Sequence, residues 1–172
     1  VSLNVRHPGE RFVLRGEDNW PIPRTRWTKF YLEPRGQLLV EAPTSEEASI
    51  AYDATGDGLT FVSNPLDEET EFCGPIAAKI WVSSDTKDAD IFLVLRVFSA
   101  DLKEVVFHGA LDPHTPVASG WLRASHRKLD TDRSEEWAPF HSHDVEEPLE
   151  PDQVYELDVE LHASGMVIPR GY

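Results

Sequence analysis

Near the end of the chain, Val154–His162 alternates without a break: Tyr155, Leu157, Val159 and Leu161 fall on one side, Glu156, Asp158 and Glu160 on the other. A period-two run of this kind is a strand with one wet face and one covered face. Its apolar side must find a second layer. The rest of the chain offers strands, and no amphipathic helical period, to supply that layer. Val1–Val5 alternates. After the break at Asp18–Pro23, where Pro21 and Pro23 exclude helix interior, Thr25–Leu32 is rich in aromatic and β-branched residues and reads as a strand. Gln37–Val40 is a short strand. Ala48–Tyr52 and Leu59–Val62 flank the turn Thr55-Gly56-Asp57-Gly58 as a hairpin. Thr70–Cys73 and Ile76–Ser83 are strands broken at Gly74-Pro75. Asp90–Phe98 is the most continuously apolar run, which predicts a strand covered on both faces. Val105–Leu111 follows the turn Ala100–Lys103, and Met166–Ile168 begins a last strand. Glu10–Arg15 is ambiguous, and Asp130–Asp152 is a long polar stretch. About ten short strands with many turns predict an all-β sandwich of the jelly-roll type.

Gly120–Lys128 (GWLRASHRK) reads as a further strand, with Leu122, Ala124 and His126 on one face and Trp121, Arg123, Ser125 and Arg127 on the other. Two arginines sharing a face with a tryptophan need anionic partners wherever that face is covered, because an unpaired buried charge is costly. Asp88 and Asp90, leading into the apolar strand, are the candidates. Asp90 with Arg123 or with Arg127 would lock two strands together; the alternative is an anion-binding patch. Trp121 and Arg123 are expected to face an internal or interdomain surface, partnered by Asp88 or Asp90.

A chain of 172 residues suits one domain with a true core, or a domain plus a fragment. Sixteen basic residues against 31 acidic ones give a net charge of −15, which repels phosphate backbones and anionic lipid, so neither nucleic acid nor membrane is an expected partner. No stretch reaches the roughly 18 apolar residues that would cross a bilayer as a helix. The single cysteine, Cys73, excludes an internal disulfide and a cysteine-based zinc site. Because the chain begins at Val1, it reads as an excised piece or a processed product, and its compartment is not legible.

No serine has a glycine two residues before it, so the Gly-x-Ser-x-Gly nucleophile elbow is missing. His141-Ser142-His143-Asp144 could place two imidazoles on one side of an extended segment, yet between prolines it reads as a solvated loop, and no metal site is expected. Asp85, Asp88 and Asp90 lack the glycine and terminal glutamate of a calcium-binding loop. Five tryptophans on a β-sandwich would suit sugar stacking. Trp27, Trp81 and Trp121 lie in expected strands and read as core, leaving Trp20 and Trp137, in loops, as the exposed candidates.

The succession of WPIPRTRWTKFYL from Trp20, TGDGLTF from Thr55, PLDEETEFCGPIAAKIWVSSDTKDADIFLVLRVF from Pro65, GWLRASHRKL from Gly120, PLEPDQVYELDVEL from Pro148 and VIPRGY from Val167 covers nearly the whole chain. It resembles the C-terminal domain of CocE/NonD serine hydrolases, a family that includes cocaine esterase, α-amino-acid ester hydrolases and X-Pro dipeptidyl-peptidases. The resemblance implies a galactose-binding-like jelly roll that follows an α/β-hydrolase domain and its helical cap. It implies that the Ser-His-Asp triad lies in that other domain, so neither Ser125 nor His126 is catalytic and no cofactor is needed. It also implies that the jelly roll walls part of the substrate pocket and takes the hydrolase domain of the same protein, and a second copy in a homo-oligomer, as partners. On this reading residues 1–23 are a lead-in strand and linker from the hydrolase domain, and residues 24–172 are the β-sandwich without its last strand. The turn near Tyr52–Gly58 is shorter than the insertion that reaches the active site in such enzymes. A free-standing carbohydrate-binding module is the alternative.

Overall fold

The computed structural model describes residues 1–9, 11–44, 48–107 and 116–172. Among them the strands are β1 (Ser2–His7), β2 (Arg11–Gly16), β3 (Tyr31–Glu33), β4 (Gln37–Leu39), β5 (Val62–Ser63), β6 (Thr70–Val82), β7 (Asp90–Leu95), β8 (Ala118–Arg123) and β9 (Tyr155–Ile168), with one 3₁₀ turn at Ala124–His126. They form a four-stranded sheet in the order β2-β1-β9-β6, a three-stranded sheet β3-β4-β5 and a two-stranded sheet β7-β8. The chain is all-β, and this arrangement is consistent with a jelly roll. Residues 1–23 contribute β1 and β2 to the same sheet as β9.

β9 is the spine. It pairs antiparallel with β6 from Val82↔Tyr155 to Thr70↔Ile168, and parallel with β1 at Arg6↔Met166. Leu157, Val159 and Leu161 are buried, as the alternation requires. Beyond them the phase changes, because β9 places His162 and Ala163 opposite Pro75 alone; Gly74 pairs with Ser164 and Ile76 with Leu161. Pro75 has no N–H to give the ladder, so a bulge at that point leaves no donor stranded. The predicted break at Gly74-Pro75 is therefore a bulge inside one long strand. After it the even-numbered Ser164, Met166 and Ile168 are buried.

The β7-β8 pair lies across the covered face of β9. Ile91, Leu122, Ala124, Leu149, Leu157 and Val159 form one core cluster there; Val97, Phe107, Val117, Met166 and Ile168 form a second. The two layers touch backbone to backbone at Gly120, where a Cβ would run into the Glu160 carbonyl and lie 2.9 Å from Leu161 Cα. Arg6 ties β1 into the same seam, donating to Ser164 Oγ at 2.6 Å and to the Val117 carbonyl at 3.0 Å.

Several expectations are corrected. The ambiguous Glu10–Arg15 stretch supplies β2 from Arg11 onward, an edge strand whose Phe12, Val13 and Leu14 are all exposed, which is why no alternation marks it. Of Thr25–Leu32 only Tyr31 and Leu32 lie in a strand. The residues before them are held by side chains instead: Trp27 stacks on Trp137 at 5.2 Å and Lys29 pairs with Glu136 at 2.6 Å. The turn at Asp53–Gly56 closes, with Gly56 N–H on the Asp53 carbonyl at 2.9 Å, but its flanks form no hairpin. Val62–Ser63 pairs in parallel with β4 instead. Of the strand expected over Val105–Leu111, Phe107 makes isolated bridges to Pro8 and Gly9, Val105 N–H reaches the Val97 carbonyl at 2.8 Å, and 108–111 lies outside the described residues.

Candidate functional site

The two-stranded sheet and the turn that follows it gather most of the residues singled out in the sequence. β7 and β8 pair antiparallel with Asp90 opposite Arg123, Phe92 opposite Trp121 and Val94 opposite Ser119. These three pairs share one face, opposite the one that packs on the core, and at its edge Trp121 meets His162 of β9 edge-on with ring centroids 5.5 Å apart. The strand expected to be covered on both sides is covered on one: Phe92 is 71% and Trp121 62% exposed, and Val94 is exposed beside them. At one end of this ladder Arg123 grips Asp90 with two hydrogen bonds, Nε to Oδ1 at 2.8 Å and Nη2 to Oδ2 at 3.1 Å; Asp88 stands 3.9 Å off. Both partners are exposed, so the pair borders the apolar patch instead of being sealed beneath it.

The predicted strand Gly120–Lys128 ends at Arg123, where its partner β7 begins. Ala124 N–H is taken by the Ala89 carbonyl at 2.8 Å and Ser125 N–H by Asp88 Oδ1 at 2.9 Å, so the chain leaves the ladder and coils through Ala124–His126. This redirects three residues. Ser125 is 0% exposed, with its hydroxyl donating to Asp88 Oδ2 at 2.7 Å. Arg127 turns away from Trp121 and Arg123, donates to the carbonyls of Ala124 and Glu147, and lies 4.5 Å over the Tyr155 ring. His126 comes to face His143. A serine, a histidine and an aspartate thus lie together, but in the wrong connectivity for nucleophilic catalysis. The hydroxyl bonds the carboxylate directly with no imidazole between them, and no substrate can reach it.

The histidines line a shallow cleft of about 380 Å³ together with Trp121, Leu122 and Arg123. Leu129 bridges His141, and Ser142 N–H reaches the Lys128 carbonyl at 3.0 Å, so the 140s segment folds back against the exit of the turn. His143 adopts a left-handed φ of 51°, and its Nδ1 stands 3.5 Å from His126 Nδ1. The His141 ring centroid is 6.0 Å from that of His143, and burial, reinforced by His143, pushes its pKa down. The sequence marks the 141/143 pair; the third imidazole is hidden because period-two alternation sets His126 in a strand on the face of Leu122, whereas the chain coils there.

The tryptophans depart from expectation at four of five positions: Trp27, Trp81 and Trp121 are exposed instead of core and Trp137 is half-buried against Trp27, whereas Trp20 is exposed as expected. Asp85 lies in the bend before β7, and among the described residues no group of three or more His, Cys, Asp or Glu stands ready to hold a metal ion.

The model of the X-Pro dipeptidyl-peptidase C-terminal non-catalytic domain matches residues 1–172. The chain belongs to this family. Two crystal structures of a CocE/NonD family hydrolase from Staphylococcus aureus superimpose on this C-terminal domain with TM-scores of 0.90 and 0.88, at 29% and 28% identity; each match covers 99% of this chain and 31% of that one. An aminopeptidase from a marine sediment Thaumarchaeota archaeon shares the fold, with a TM-score of 0.64 at 18% identity over 92% of this chain and 30% of its own. No curated protein matches. The domain therefore spans about a third of the length of its structural neighbours. Membership in a non-catalytic domain family agrees with the buried Ser125 hydroxyl and does not favour a free-standing sugar-binding module.

Proposed function

We propose that this domain is an accessory wall of a serine hydrolase of the ester or X-Pro dipeptidyl-peptidase type. It docks on the α/β-hydrolase domain of the same protein through the outer face of β7 and β8 and closes one side of the substrate pocket. The observation that carries this reading is the row Phe92, Val94 and Trp121, three large apolar side chains left in water on one sheet face and bordered by the Asp90–Arg123 pair. An apolar centre holding aromatic rings, with an arginine at its rim, is the composition of a protein–protein contact. Residues 1–23 serve as the lead-in from the hydrolase domain, stitched to the sandwich by the pairing of β1 with β9. The hydrolase domain is the first partner of the face, and a homo-oligomer would use surfaces outside it.

Amide hydrogen exchange tests this. In the full-length parent the amides of β7 and β8 should exchange more slowly than in the isolated chain, while those of the opposite edge strand β2 should be unchanged. Equal exchange of β7 and β8 in both would contradict the docking face.

A further inference from the structure

The histidine cleft shares Trp121 and Arg123 with the proposed docking face, but its three imidazoles take no part in the docking reading. Two imidazole nitrogens facing each other normally share a proton, at the 2.7–3.2 Å of an ordinary hydrogen bond. His126 Nδ1 and His143 Nδ1 are 3.5 Å apart, too long for that bond to account for the arrangement. The separation matches a different one. Two nitrogens bound at about 2.0–2.1 Å to a tetrahedral ion lie about 3.3–3.4 Å from each other.

We propose that His126 and His143 chelate a divalent transition-metal ion through their Nδ1 atoms. Both side chains are reachable from solvent at the mouth of the cleft, and each would bind as the neutral tautomer with its proton on Nε2. His141 supplies a third imidazole beside the pair. Its Nε2 is buried without a hydrogen-bond partner and its ring centroid lies 6.0 Å from that of His143, while the Asp158 backbone holds the ring, so it borders the pair without being one of its two ligands. Among the described residues no three donors already converge, so the resting chelate is two imidazoles completed by water. Imidazole donors select Zn²⁺, Cu²⁺ or Ni²⁺ over Mg²⁺ or Ca²⁺. The net charge of −15 raises the local concentration of cations, and the one arginine in the cleft, Arg123, is neutralised by Asp90.

The test is calorimetric titration of the purified protein, without an oligohistidine tag, with Zn²⁺, Cu²⁺ and Mg²⁺. The expected result is one saturable site per chain for Zn²⁺ and Cu²⁺ and none for Mg²⁺. That site should be lost in His126→Ala and in His143→Ala and retained in His7→Ala, with circular dichroism verifying that each variant is folded. Absence of saturable binding by the wild type, or binding that persists when both His126 and His143 are replaced, would overturn the proposal.

Discussion

Asp88 meets Ser125 with both of its carboxylate oxygens: Oδ1 accepts the backbone N–H at 2.9 Å and Oδ2 the hydroxyl at 2.7 Å. Oδ1 also takes the Ala89 N–H at 2.9 Å. Burial alone would push the Asp88 carboxyl up, but these donors, with Arg123 nearby, outweigh it and hold the pKa below the usual carboxylate value. The contact fixes where β8 ends and the 3₁₀ turn begins. Ser125→Ala removes a hydrogen bond to a charged group at a fully buried position, so it should lower stability by about 1.5–3 kcal/mol in urea unfolding. No measurable loss would show that the turn is held by backbone contacts alone.

Two arginines four positions apart should behave oppositely. Arg123 and Asp90 are both exposed, and exposed pairs contribute little, so Arg123→Ala should leave the urea midpoint nearly unchanged. Arg127 is largely covered, with its guanidinium over Tyr155 and on two carbonyls. Arg127→Ala should lower the midpoint clearly, and Arg127→Lys should not rescue it, because an ammonium cannot stack and fork in the same way. Equal losses for the two alanine variants would contradict this assignment.

Gly120 is where β8 touches β9. An added methyl would meet the Glu160 carbonyl and the Leu161 Cα, both backbone atoms that cannot rotate away. Gly120→Ala should therefore cost at least the about 1–3 kcal/mol typical of overpacking. Thermal unfolding would read this directly. A variant as stable as the parent would mean that the two layers can separate freely at that point.

Glu17 is clasped by Arg24 and Arg15. The hydrogen bond from Arg24 is the main reason that its pKa falls from 4.5 to about 2. A carboxyl lowered on folding adds stability that is fully present above its unfolded pKa and is lost as the pH falls through the folded one. The stability difference between the wild type and Glu17→Gln should accordingly be constant above about pH 5 and shrink toward zero as the pH drops to about 2. A difference that holds constant throughout acid unfolding would remove Glu17 from the acid-sensitive set.

What was legible in the sequence follows from what each signal depends on. Leu157, Val159 and Leu161 alternate because one face of β9 is covered and the other wet, a local pattern that the fold preserves. Asp90 opposite Arg123 was readable as one of two charge pairings, because a charged face on a strand asks for a partner. The fate of Arg127 was not readable, since it depends on Asp88 taking the Ser125 N–H and ending the strand, a contact between residues 37 positions apart. Phe92 and Val94 misled for a different reason. An apolar run looks the same whether its second face is covered by this chain or left for a partner. The histidine cleft needed the return of the 140s segment through Leu129 and His141, which no spacing announces.

Labelling with a fluorophosphonate probe tests the central claim, that this domain shapes a hydrolase without containing its nucleophile. The purified chain should take up no probe and turn over neither an activated ester nor an X-Pro anilide, because Ser125, the one buried serine beside a carboxylate among the described residues, is sealed and lacks an imidazole base. Stoichiometric labelling of Ser125 or of any other serine in the chain would contradict the account and place chemistry in the domain itself.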